Sequence, residues 1–278
     1  MANHEHGALL QQTRYNANDL QRIVAILRGP NGCPWDAAQT HASIKKNFIE
    51  ETYEAIEGIN KGDDALLCEE LGDVLLQVAL HVQIADERGA FTWEDVTTGI
   101  CAKLIERHPH VFGETKADSP DDALRNWDAI KRQSKAQKSA TEAIESIPRE
   151  LPALMRAQKV QEKAARAGFD WEENSPQQRL ELDLLGEAEE LREALQFGDL
   201  REAHGELGDV LFSAVNVARV LEGCDAEEAL TAATDRFAER FAIVEQLARE
   251  QGIDMKTAPM KELDKLWAVA KQRLKRTA

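Results

Sequence analysis

The sequence predicts an all-α protein built as two tandem helical-bundle domains of about four to five helices each, the product of an internal duplication. Apolar residues recur at helical spacing along nearly the whole chain, and strand-like alternation is absent. Glycine and proline clusters break that pattern at regular intervals. An acidic pattern also repeats at a fixed offset of 136: Glu51, Glu54, Glu70 and Asp73 become Glu187, Glu190, Glu206 and Asp209. A repeat this long indicates two copies of one domain rather than a solenoid of short units.

In chain order, Leu20, Ile23, Val24 and Leu27 form an apolar stripe, and the run from Gly29 to Pro34 ends it, leaving Trp35 in a loop. A helix over about 40–59 carries the first acidic pair, and Gly62-Asp63 turns the chain. The next helix, about 64–87, is apolar almost all round, which predicts a central place in its bundle. Thr92 starts a helix that runs to Arg107 and ends at His108-Pro109-His110. Ser119-Pro120-Asp121 opens another, through Trp127 and Lys131. The expected boundaries are a first domain over 17–136, a linker over 137–152 containing Pro148 and Pro152, and a second domain over 153–278. In the second domain helices are predicted over 154–167, 178–197, 200–221, 226–251 and 260–276, with Gly168-Phe169-Asp170-Trp171 as a loop and Gly198-Asp199 as the matching turn.

The formal net charge of −16 argues against binding a nucleic-acid polymer, which needs a basic face. It leaves room for a nucleotide, whose phosphates a metal can screen. The four cysteines are scattered without a Cys-x-x-Cys pair, as reduced thiols are. No apolar run approaches the ~18 residues of a membrane span, and the first residues lack a signal-peptide core. A cytoplasmic protein is expected.

Glu-x-x-Glu on one helix and Glu-x-x-Asp on the next put four carboxylates on facing surfaces if the helices pack antiparallel. A single acidic pair is ordinarily a solvated face. Here the four positions recur together, and Gly72 and Gly208 sit between the acids, where a close backbone or ligand approach would explain them. Convergent carboxylates need a cation among them. Oxygen-only ligands favour Mg²⁺, with Mn²⁺ as a substitute, and so phosphate chemistry. A di-iron centre would need Glu-x-x-His, and Asp occupies both of those positions. Arg236, Arg240, Trp267 and Lys271 form a plausible nucleotide clamp, with basic groups for phosphates and an aromatic face for a base. Lys103, Arg107, Trp127 and Lys131 echo it in the first copy. Each basic residue alone is more often solvated, and Trp267 alone could be core. His108 and His110 are either acid/base groups or, beside Pro109, capping and packing residues.

Together these residues resemble the MazG family of all-α nucleoside triphosphate pyrophosphohydrolases in its two-domain form, over about Leu20 to Lys271. The markers are Gly32-Cys33-Pro34-Trp35-Asp36, Glu50-Glu51-x-x-Glu54, Glu70-Leu71-Gly72-Asp73, the run from Arg107 to Phe112, Leu151 to Lys159, Gly168 to Trp171, and Glu206-Leu207-Gly208-Asp209. The resemblance implies Mg²⁺-dependent cleavage between the α- and β-phosphates, tolerance of several bases, and a homodimer with sites assembled between helices. It carries the family carboxylates onto Glu187, Glu190, Glu206 and Asp209, and by repetition onto Glu51, Glu54, Glu70 and Asp73. Two positions depart from it. Gly186 stands where members often have the first Glu of the doublet, and Asp183 where they often have a Lys one turn before the first ligand. The expected chemistry is attack of water on the α-phosphorus, with Glu187 or Glu190 accepting the proton and Arg236, Arg240 and Lys271 stabilising the leaving pyrophosphate. The alternative is a helical scaffold or regulatory module that binds nucleotide with little turnover. In a mixed case one copy is catalytic and the other structural; the second copy, with its complete clamp, is the favoured active one.

Overall fold

The computed structural model describes residues 9–120, 122–123, 125–127, 130, 139–171 and 175–277, and no strand occurs among them. The chain divides into two compact units, Met1–Lys135 and Ala136–Ala278.

The first unit opens with α1 (Ala17–Arg28), started by a capping box in which Asn16 and Asp19 satisfy each other's backbone N–H groups. Gly32 follows it in a turn so tight that a Cβ there would lie 2.2 Å from the Leu27 carbonyl oxygen. Trp35 lies in a short helix, α2 (Pro34–Ala38), rather than in a loop. Pro34 occupies its first turn, where a missing N–H costs nothing. Helices α3 (His41–Lys61) and α4 (Asp64–Asp86) form a hairpin. Gly62 ends α3 at φ +63°, and Asp63 caps α4 by accepting from the N–H groups of Ala65 and Leu66. Then come α5 (Trp93–Arg107) and α6 (Pro109–Phe112). Val24, Ile44, Ala79 and Leu80 make the core, with Leu20, Leu76, Ile84 and Trp93 against it. Farther on, Ser119 Oγ accepts from the Asp122 N–H, consistent with the expected helix start; Asp121 and Lys131 lie outside the described residues.

A second expectation changes. The helix expected to be enclosed, α4, buries Ala79, Leu80, Val82 and Ala85 but leaves Leu71 and Leu75 exposed. Its apolar circumference exceeds what the unit's own helices cover.

The second unit begins with α7 (Ala140–Glu145), a short helix inside the segment expected as linker. Ser139 caps it, and Ile147 just beyond is buried. After α8 (Ala153–Arg166), one continuous helical run comprises α9 (Pro176–Arg179), a π-helical stretch (Leu180–Leu184) and α10 (Leu185–Phe197). Gly198 at φ +75° and Asp199 turn the chain into α11 (Leu200–Val220), repeating the chemistry of Gly62 and Asp63. Helices α12 (Ala226–Glu250) and α13 (Met260–Thr277) close the unit as a hairpin around Val244, Leu247, Ala248, Leu266 and Ala270.

The π stretch has a simple origin. The C-terminal caps Gly62 and Gly198 differ by 136, but the N-terminal caps Thr40 and Ser175 differ by 135. The second copy must therefore fit one more residue between its caps. One wide turn, in which the Leu185 N–H bonds the Leu180 carbonyl five residues back, absorbs it and returns Glu187 to the face that Glu51 occupies.

Candidate metal centre and phosphate site

Each hairpin brings its acids together. Carboxylate oxygens of Glu51, Glu70 and Asp73 all lie within 4.8 Å of one another, and so do those of Glu187, Glu190 and Glu206. The fourth acid of each set stands beside its trio. Glu54 is within hydrogen-bonding reach of Glu51 and Glu70, and the charge of Asp209 acts on both Glu187 and Glu206. Partial burial, then the charges of Asp73, Glu54 and Glu70, push the Glu51 carboxyl above the usual carboxylate range. Burial followed by the charges of Glu54 and Asp73 does the same to Glu70. In the second copy burial acts first on Glu187, then Glu190, Asp209, Glu206 and Asp183; on Glu206 it is followed by Glu190 and Asp209. Four mutually repelling acids with oxygen donors only form a donor set that fits a hard divalent cation. Gly72 and Gly208 are not explained by a close backbone: a Cβ at either would meet nothing of this chain within 4 Å. The space beside the acids is open.

The expected clamp residues lie on the other hairpin of the second unit. Arg236 and Arg240 are one turn apart on α12, and Trp267 and Lys271 one turn apart on α13. Trp267 is partly buried on the hairpin core, its ring 5.1 Å from that of Phe237. Arg236 and Lys271 are exposed, while Arg240 Nε is buried with no hydrogen-bond partner among the described residues. No hydrogen bond or ion pair joins these four to the acids among the described residues. In the first copy the Arg107 guanidinium lies over the Trp127 ring, 5.3 Å from its centroid. His108 ends α5 with Nδ1–H donating to the Leu104 carbonyl at 2.7 Å, a capping role.

Two constellations escape a reading of either copy alone. In the first, His41 and His81 join α3 to α4 through their Nδ1 atoms at 2.8 Å, the rings nearly parallel. One ring must donate and the other accept, so the two cannot both be charged in this bond. Burial, with the proximity of His41, lowers the His81 pKa. In the second, Arg179 pairs with Asp183, Asp183 accepts from Asn216, Asn216 accepts from Arg219, and Arg219 pairs with Asp170. Matched on their N-terminal caps, the copies set Ile44 against Arg179 and His41 against Pro176; at the offset of 136 the first copy has Pro34, Asn47, Leu80 and Gln83 in the other places, and Val217 replaces His81. Aligning the copies and noting where one is polar and the other is not would have found both.

The MazG nucleotide pyrophosphohydrolase domain matches twice, over residues 39–112 and 175–244. The matches take in all eight acids, Arg236 and Arg240, and stop before Trp267 and Lys271. The nucleoside triphosphate pyrophosphohydrolase/pyrophosphatase MazG of Thermotoga maritima is 45% identical over 254 residues, which are 91% of this chain and 94% of that protein. The nucleoside triphosphate pyrophosphohydrolase of Escherichia coli is 40% identical over 260 residues, 92% of this chain and 98% of its own length. The uncharacterized protein YabN of Bacillus subtilis is 45% identical over 258 residues, but this chain spans only 51% of it. With its acid-lined hairpin built twice and the domain matched twice, the chain belongs to the MazG nucleotide pyrophosphohydrolase family, in a form carrying two copies of the domain.

Proposed function

We propose that the protein hydrolyses nucleoside triphosphates between the α- and β-phosphates, giving nucleoside monophosphate and pyrophosphate, with Mg²⁺ as cofactor and Mn²⁺ able to replace it. ATP is among its substrates, and several bases are tolerated. The observation that carries this reading is the carboxylate trio formed on each hairpin with a fourth acid beside it, and the raised pKa values where these acids crowd. The names of the Thermotoga maritima and Escherichia coli relatives support it.

Glu187, Glu190, Glu206 and Asp209 would hold the ion in the second copy, and Glu51, Glu54, Glu70 and Asp73 in the first. When bound, the ion supplies charge neutralisation of the phosphates and acidification of water. The new bond forms between the water oxygen and the α-phosphorus, and the bond to the bridging oxygen breaks to release pyrophosphate. The water's proton passes to Glu187 or Glu190, whichever carboxylate the ion leaves less engaged. Arg236, Arg240 and Lys271 hold the pyrophosphate side, and Trp267 stacks on the base. In the first copy Arg107 already covers a face of Trp127, which supports the second copy as the catalytic one.

The active form is a homodimer. Leu71 and Leu75 on α4, and Leu207 and Leu211 at the same register on α11, are 53%, 39%, 48% and 51% exposed. Two matched apolar stripes left bare are what a second copy of the chain would cover. The protein works in the cytoplasm, supported by four free cysteines, and no described helix is long and apolar enough to cross a membrane.

The test incubates the protein with each triphosphate and Mg²⁺, Mn²⁺ or a chelator, resolves the products, and measures mass by sedimentation. Monophosphate plus pyrophosphate, lost with chelator, is expected. Diphosphate plus phosphate would refute the reaction, and absence of turnover with every triphosphate would favour the scaffold role.

A further inference from the structure

We propose that Arg179, Asp183 and Asn216 form a positioning unit that aims Glu187 into the second tetrad. The inference rests on the reading that this tetrad holds a divalent cation.

The extra residue between Ser175 and Gly198 creates the need. Left to itself, one additional residue would rotate everything beyond it by about 100°, one residue's share of a 3.6-residue turn, and would carry Glu187 and Glu190 together off the face that Glu51 and Glu54 hold relative to their own cap. The π stretch takes up that rotation, but a wide turn has poor intrinsic stability and needs outside support. Arg179 and Asp183 give it. The Arg179 Nη1–H group donates to both Asp183 oxygens, at 3.1 and 3.0 Å, so the pair runs from the residue before the stretch to its fourth residue. Arg179 is 1% exposed, with the Trp171 ring 3.9 Å from its guanidinium carbon.

Asn216 ties the pair to the opposite helix, its Nδ2 donating to Asp183 Oδ2 at 3.1 Å. Arg219 then fixes Asn216 through Oδ1 at 2.9 Å and is itself held by two bonds to Asp170, at 3.0 and 2.9 Å. Asp183 lies one turn before Glu187 and Asn216 two turns after Asp209. The unit therefore grips both ligand-bearing helices on the faces that carry the acids. The first copy, whose ligand helix α3 is regular throughout, has none of this unit. Asp183 thus has a structural partner in place of the phosphate contact that a lysine would make.

Mn²⁺ binding to the full-length chain, followed by electron paramagnetic resonance, tests the unit. The parent carries Glu70→Ala to weaken the first tetrad. In an Arg179→Met/Asp183→Leu variant with unchanged circular dichroism, the Mn²⁺ dissociation constant rises about tenfold or more. Measured with the first tetrad intact, kcat falls with KM nearly unchanged. Asn216→Leu moves the same way by less, and Arg179→Lys restores most of the affinity. Unchanged Mn²⁺ affinity and kcat in the folded double variant would overturn the proposal. Should that variant not fold, unchanged affinity in Asp183→Asn overturns it equally. No Mn²⁺ binding by the parent would instead overturn the metal reading beneath it.

Discussion

The two copies solve one mechanical problem with opposite charge order. Each must tie the segment ahead of its ligand helix to the far end of its central helix. In the first copy the cation comes from the outer segment: Arg28 holds the Asp36 and Gln39 carbonyls and forms a bidentate pair with Glu87 beyond the end of α4. In the second the anion comes from the loop and the cation from the central helix, as Asp170 and Arg219. The interior between differs too. Leu80 sits in an apolar core in the first copy, and Asn216 in a buried polar chain in the second. What both copies share is narrower than their fold: eight acids, two turns made of a left-handed glycine and a capping aspartate, and a stripe of bare leucines. Duplication has kept the hairpin that places carboxylates and left its scaffolding free to change.

Exchanging the scaffolds should break each copy in its own way. The largest effect is expected from Leu80→Asn. It removes a buried side chain from the first core and puts there an amide that lacks the partners Asn216 has, at about 4 kcal/mol. Arg179→Ala leaves the largely buried Asp183 charge with only the Asn216 amide and no cation, and should cost about 3 kcal/mol in the second unit. Hydrogen exchange resolved by helix checks both, with lost protection confined to the altered unit.

Gly58→Ala comes next. Its Cβ would lie 2.9 Å from the Leu67 nitrogen, where the second copy uses Ala194 and Ala203. A loss of about 2 kcal/mol is expected, and Leu67→Ala does not recover it because the atoms met are the Leu67 backbone and Cβ; urea denaturation reads it.

The smallest effect is pH-dependent. His81 has a folded-state pKa below its ordinary value, so the unfolded chain binds the proton more tightly. The stabilisation is complete above the ordinary histidine pKa of about 6.5 and is lost as pH falls below it. His81→Val, the residue of the second copy, should flatten the first unit's stability between pH 7 and pH 5, a window set by that same reference value of about 6.5. An unchanged slope would show that the pair does not report on folding.

How much the sequence disclosed follows from the range of the interactions. Helices, turns and the acid faces depend on neighbours within a few residues, so the spacing of Glu51, Glu54, Glu70 and Asp73 sufficed to predict that they meet. The short helix over Trp35 was hidden because proline reads as a breaker although it favours a first turn. The π stretch was hidden because constant spacing on both sides of it concealed a one-residue shift in the cap, visible only when Ser175 is seen to start the helix. Gly72 and Gly208 invited a close backbone that the fold does not supply. The Arg236, Arg240, Trp267 and Lys271 set was assembled from spacing along two helices, and spacing says nothing of how far that hairpin lies from the acids.

The central claim is that one duplicated carboxylate hairpin does the chemistry while the other serves as its structural twin. Turnover of ATP with Mg²⁺, products resolved, by Glu206→Ala and by Glu70→Ala assayed separately, tests it most directly. The account predicts that monophosphate and pyrophosphate release falls by about a hundredfold or more in Glu206→Ala, as loss of a group acting on the transition state does, and stays within about threefold of the parent in Glu70→Ala. Equal losses from the two variants, or loss from Glu70→Ala alone, would contradict it.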